Sequence, residues 1–161
     1  MTELSQFVEK THEHLNEYIN LADRKASVLL TALLAYLALY ANVAAPVWST
    51  SSICFKLLTA LVGVAGLFGI GFAGWTVYPR TPETPQGLML WDSITDMSND
   101  SYRESLQDLD ANGVVEELID ENYQLAKVAS KKYQYLRFAL IATGVMVILS
   151  ILAALTSIFN P

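Results

Sequence analysis

Three runs of this chain, residues 26–45, 57–77 and 138–159, contain no charged side chain. At about 1.5 Å of rise per residue, even the first makes roughly 30 Å of helix, the thickness of a bilayer's hydrocarbon core. The composition agrees: 53% of residues are hydrophobic and only 16% charged, where a soluble domain carries about 25% charged residues. The sequence therefore predicts an all-α membrane protein with three transmembrane helices. With 161 residues it forms one folding unit, too short to add an independent soluble domain of ordinary size. Any ligand site must be built from the segments that join the spans.

The stretch from Leu21 to Leu30 shows how the first span begins. Asp23, Arg24 and Lys25 fall where lipid headgroups lie, and the apolar run starts at Ala26. Upstream, residues 1–25 are no signal peptide, because Glu3, Glu9, Glu13, Glu17 and Asp23 interrupt any apolar core. Instead Leu4, Phe7, Val8, Thr11, Leu15, Tyr18, Ile19 and Ala22 recur at three- and four-residue steps, predicting an amphipathic helix that continues into the span. His12 and His14 are two apart, so on a helix they point about 200° away from each other and cannot share a metal ion. Both are expected to be solvated.

Ala45-Pro46 ends the first span, and residues 46–56 make an outer loop with Trp48 at the interface. The return helix begins by Ile53, with its span at 57–77, and Trp75, Tyr78 and Arg80 mark the opposite boundary. Gly63, Gly66, Gly69, Gly71, Ala73 and Gly74 along it allow close helix approach. Ser27, Thr31, Ala35, Ala38 and Asn42 form a stripe on the first span that suits either helix packing or a pore lining.

Three prolines between Tyr78 and Pro85 stop the second helix. Residues 88–97 hold a brief strand or a helical turn, and Ser98-Asn-Asp-Ser101 resembles the start of a short helix over 102–109 that Asp110-Ala-Asn-Gly113 breaks. From Val114 to Phe159 there is no proline. There Val115, Leu118, Asn122, Leu125, Val128, Lys132 and Tyr135 repeat at nearly 3.5 residues, the spacing of a helix that packs on another helix. One helix thus carries a stalk into the third span at 138–159. The long N-terminal and C-terminal helices extend beyond the bilayer into a small cytoplasmic helical region. With three crossings, every Lys and Arg but Lys56 falls on one side, so the positive-inside rule places the N terminus and residues 78–137 in the cytoplasm.

Nothing here points to an enzyme. There is no nucleophile triad order, no glycine-rich phosphate loop and no metal-ligand spacing, and the sequence calls for no cofactor. One cysteine, Cys54, makes no intrachain disulfide. The carboxylates Glu116, Glu117, Asp120 and Glu121 read as a solvated helix face. The basic residues are more informative: Arg24 and Lys25 at one helix and Lys127, Lys131 and Lys132 at another meet one membrane plane, as headgroup anchors or as a phosphate site. Trp91, Tyr123 and Tyr133 would add faces on which a base stacks, with Tyr135 close by.

Ala22-Asp-Arg-Lys-Ala-Ser27 before the first span, Tyr78-Pro-Arg80 after the second, and Asn122 followed by Leu125-Ala-Lys-Val-Ala-Ser-Lys-Lys-Tyr-Gln-Tyr-Leu-Arg-Phe-Ala139 before the third resemble the transmembrane effectors of Pycsar-type bacterial anti-phage defence. The segment around Trp91-Asp-Ser-Ile94 and Tyr102 is similar to the family's connector, and Hailong-type nucleotide-gated membrane effectors are of similar size. The resemblance implies an inner-membrane effector, a pore or ion channel, that answers a cyclic nucleotide or short oligonucleotide made by a cognate cyclase or nucleotidyltransferase. Asp23, Ser27, Thr31 and Asn42 are then the candidates for gating and pore lining. Three spans enclose no ion path alone, so a homo-oligomer such as a tetramer is expected. Two competing readings are a scaffold membrane protein whose cytoplasmic helices recruit a soluble partner, and a small transporter subunit.

The orientation is directly testable at Cys54. A membrane-impermeant thiol reagent should label it in intact spheroplasts, and labelling only after lysis would reverse the topology.

Overall fold

A computed structural model describes residues 3–79, Leu88 and 91–159. Their regular structure is helical throughout, with no strand among the described residues: α1 (Glu3–Ala44), α2 (Ile53–Val77), α3 (Trp91–Asp96), α4 (Asn99–Gln107) and α5 (Ala111–Phe159). The boundaries follow local chemistry. Ahead of α2, Ser52 is extended and its hydroxyl accepts from the Phe55 amide at 3.3 Å. Ser98 does the same for α4, accepting from Ser101 at 3.1 Å. These serines satisfy amides that the first helical turn leaves without a partner.

Two expectations shift. The short helix covers Asn99–Gln107 rather than 102–109, because Ser98 caps it three residues earlier. Asp110 starts a helix as much as it ends one: its carboxylate accepts from the Gly113 amide at 2.7 Å, so α5 begins at Ala111. The choice left open over 88–97 falls to a helical turn, α3. The Tyr78–Pro85 connector lies outside the described residues beyond Pro79.

The chain divides into two units, and both long helices are shared between them. The apolar unit holds α1 from Ala22, all of α2, and α5 from Tyr133. Each of its three helices supplies one residue to each of two core clusters: Leu33, Val62 and Met146 in one, Ala44, Phe55 and Ala153 in the other. Because the numbers rise along α1 and α5 and fall along α2, the three helices pack as an up-down-up bundle. Tyr40 and Thr59 join α1 to α2 through their hydroxyls at 3.1 Å.

Close approach of α1 to α2 depends on two glycines. A β-carbon at Gly66 would sit 2.8 Å from the Leu37 methyls, and one at Gly69 would sit 3.1 Å from a methyl of Leu33. Around Gly63, Gly71 and Gly74 nothing lies within that range. The apolar windows of the three long helices are only 11%, 22% and 22% buried within the chain, and all three helices are long and apolar enough to cross a membrane. An apolar surface left so open belongs in lipid or against other apolar helices.

The polar unit comprises α1 up to Leu21, α3, α4, and α5 up to Lys132. In it Val8 and Ala129 are buried, while Leu4, Phe7 and Tyr18, expected on the packed face, are exposed. The covered stripe of α1 runs instead through Val8, His12, Leu15 and Ile19.

Gly66→Val should lower the thermal midpoint of the purified protein in detergent, costing about 1–3 kcal/mol by overpacking. Adding Leu37→Ala should recover part of that loss, whereas Gly71→Ala should change little.

Candidate functional site

The 3.5-residue pattern of α5 dictates what its outer face can offer. Its covered positions include Leu118, Asn122, Leu125, Ala129, Lys132 and Leu136, which leaves Tyr123, Lys127 and Lys131, four residues apart, together on the exposed side. The Lys127 ammonium lies over the Tyr123 ring, 4.3 Å from its centre. A contact of this kind stabilises by about 0.5–1 kcal/mol at an exposed site and holds the aromatic face beside the cation. One turn on, Lys131 adds a second ammonium. A cation over a planar ring, with a second cation one turn along the same face, is chemically suited to an anion attached to a flat base.

The remaining sequence-selected residues fall elsewhere. Lys132 is 4% exposed, on the packed side of α5, and both it and Lys131 have interaction partners. Arg24 and Lys25 are exposed on α1, within the apolar unit's share of that helix. Tyr133 is half-buried, and α3 carries Trp91, whose side chain is outside the described residues. Asp23 is half-buried and partnered. Ser27, Thr31 and Asn42 are exposed along α1. Thr31 donates to the Ser27 carbonyl at 3.0 Å and Asn42 to the Ala38 carbonyl at 3.0 Å. At 100° per residue, their stripe points roughly opposite to the side carrying Ala26, Leu33 and Tyr40.

The polar unit also contains a buried network that sequence reading missed. Asn122 is 8% exposed, and its amide nitrogen donates to the Val8 carbonyl at 2.9 Å. Its amide oxygen lies 3.2 Å from His12 Nδ1. On the other side of the ring, Asn16 Nδ2 lies 2.9 Å from His12 Nε2 and donates to the His12 carbonyl at 3.2 Å. The two backbone carbonyls fix which amide atoms are nitrogens. Nε2 must then accept from Asn16, and Nδ1–H must donate to Asn122. His12 is therefore no solvated residue, whereas the His14 ring is 70% exposed, 3.6 Å from Glu17.

Glu121 departs from the solvated face expected of it. Its Oε2 is buried without a hydrogen-bond partner among the described residues and lies 4.0 Å from His12 Nδ1. Burial pushes its carboxyl above the usual value of 4.5; His12 opposes that rise and Glu117 adds to it. Glu117 is also engaged, accepting from the Leu88 amide at 2.9 Å, while Tyr102 donates to the Leu88 carbonyl at 3.3 Å. No group of three or more His, Cys, Asp or Glu among the described residues has the geometry of a metal site.

Residues 7–159 match the Pycsar effector protein domain, PycTM. The chain belongs to the Pycsar effector family. Among its relatives, the Pycsar effector protein SaPycTM of Staphylococcus aureus is 28% identical over 137 residues, which cover 82% of each chain. No solved structure is a significant match. As a Pycsar effector, the chain is a transmembrane, helical component of anti-phage defence, and the family match takes in the seam from Val8 to Asn122 as well as the three apolar helices.

Asn122→Ala removes an amide that both donates and accepts while buried, leaving His12 Nδ1–H without its acceptor and the Val8 carbonyl with only its own helix's donor. It should destabilise by about 1–3 kcal/mol, read as a lower thermal midpoint in detergent. Asn112→Ala, at an exposed position in the first turn of α5, should be nearly neutral.

Proposed function

We propose that this Pycsar effector is a nucleotide-gated pore or ion channel that disrupts the bacterial inner membrane during phage infection. The observation that carries the proposal is the family match over residues 7–159, joined to three helices able to span a bilayer. The signal is a cyclic nucleotide or short oligonucleotide from a cognate cyclase or nucleotidyltransferase. Its phosphate is held by Lys127 and Lys131, with Lys132 adding to the positive field of the same helix; Arg24 and Lys25 anchor α1 at the headgroups. Tyr123 is the best supported base-stacking face because it is exposed and already has a cation beside it; Tyr133 and Trp91 are the others. The N terminus and residues 78–137 lie in the cytoplasm, where such a signal is made.

The pore itself is assembled from several copies, for which a tetramer is a reasonable size. The stripe of Ser27, Thr31 and Asn42 supports this reading, since it is polar, lies within an apolar helix and is not covered by the chain's own α2 or α5. Asp23, at the start of that stripe, would respond to the ligand, because a phosphate competing for a basic partner favours one arrangement over another.

Lys127→Glu with Lys131→Glu should weaken binding of the cognate nucleotide and flatten its salt dependence, by at most about one unit of slope per lost contact. Lys132 is left intact because a buried acid would disturb folding on its own account. Unchanged binding in a correctly inserted double variant would return both lysines to headgroup anchoring. Asp23→Ala should alter toxicity when the protein is expressed alone, and Glu13→Ala should not.

A further inference from the structure

The buried network between α1 and α5 holds a group that the nucleotide reading does not use. Glu121 Oε2 sits inside the polar unit with no hydrogen bond among the described residues, 4.0 Å from an imidazole nitrogen. The neutral imidazole gives it no hydrogen bond. Nδ1–H is directed to Asn122 at 3.2 Å and Nε2 accepts from Asn16 at 2.9 Å, so the ring's one N–H is already committed. A proton taken up by the carboxylate removes a buried charge and disturbs no existing bond.

We propose that Glu121 and His12 form a proton-operated clasp between α1 and α5, tight when the carboxyl is protonated and loosened when it is charged. Among the described residues, the titratable groups acting on Glu121 are His12 from α1 and Glu117 from α5 itself. The neighbouring contributions from the Leu88 segment and α4 are an amide and the Tyr102 hydroxyl, which are bound to Glu117 and to the Leu88 carbonyl. The direction follows from linkage. Burial raises the carboxyl above its usual 4.5, so the folded chain holds the proton more tightly than the unfolded one. The stabilisation is complete below the ordinary glutamate range and is lost as pH rises through the raised value. The clasp stands independently of whether the chain binds a nucleotide.

The test uses the full chain in lipid nanodiscs. Amide exchange of residues 7–17 is measured from pH 5 to pH 8 and corrected for intrinsic rates. In the wild type, protection should fall severalfold as pH rises across this range. In Glu121→Gln it should stay near the wild type's low-pH level at every pH. A flat wild-type profile, or an equal slope in Glu121→Gln, overturns the proposal. Should Glu121→Gln fail to insert, Glu117→Gln decides: it keeps an acceptor for the Leu88 amide and removes a charge, so the wild-type transition should move to lower pH. A transition that stays in place overturns the clasp.

Discussion

The structure depends on a 3–4 alternation of covered residues along its two long helices. On α1 the sequence of steps passes through Val8, His12, Leu15, Ile19, Ala22, Ala26, Leu29 and Leu33; on α5 it passes through Leu118, Asn122, Leu125, Ala129, Lys132, Leu136 and Ala139. This is the spacing that keeps one edge of a helix against a neighbour over many turns. The pattern continues where the composition changes from polar to apolar, so one geometric rule serves segments with opposite solvent preferences. What changes is the source of stability. In the polar unit, hydrophobic burial acts with the His12–Asn122–Val8 network. In the apolar unit, close contacts such as Leu33–Val62–Met146 take over, because lipid supplies no hydrophobic drive for helices to associate.

Placing polar residues in that alternation has a physical use. An Asn on an otherwise apolar edge favours the one register in which its amide is satisfied, since a slip by a turn leaves a buried amide without partners. Asn122 meets this description with its donor on Val8 and its oxygen toward His12. The adjacent Glu121 works against the same packing through its buried, unbonded oxygen. One residue thus specifies the alignment of α1 with α5, and its neighbour limits how firmly that alignment is held.

Much of the fold was legible in the sequence because it rests on strong, local signals: long charge-free runs, serines ahead of helices and a proline after Ala45. The turn at Trp91–Asp96 was ambiguous because so short an apolar segment carries no periodicity of its own. Within the site, exposure of Tyr123 and Lys127 was legible from spacing, since they lie off the covered edge. His12 and Glu121 were not. The spacing of His12 from His14 excludes a shared metal ion and says nothing about packing, although its spacing from Val8, Leu15 and Ile19 places it on the covered edge. Glu121 sits among other acids, and a run of acids resembles a solvated face until a second helix shows which of them it covers. Asn122, on the apolar stripe of α5, was the available clue that a polar partner lay opposite.

In the apolar unit, several hydroxyls and amides donate to carbonyls one turn back on their own helix: Thr31 to Ser27, Asn42 to Ala38, Thr143 to Ala139 and Ser150 to Met146. Bonds of this kind travel with the helix that makes them. A helix so equipped can turn about its axis or exchange one neighbour for another without breaking them, and apart from the Tyr40–Thr59 hydroxyl pair the core contacts it gives up are apolar ones that a new apolar surface can replace. Most of this polarity is thereby carried within single helices and does little to fasten one to another, leaving the bundle easier to rearrange.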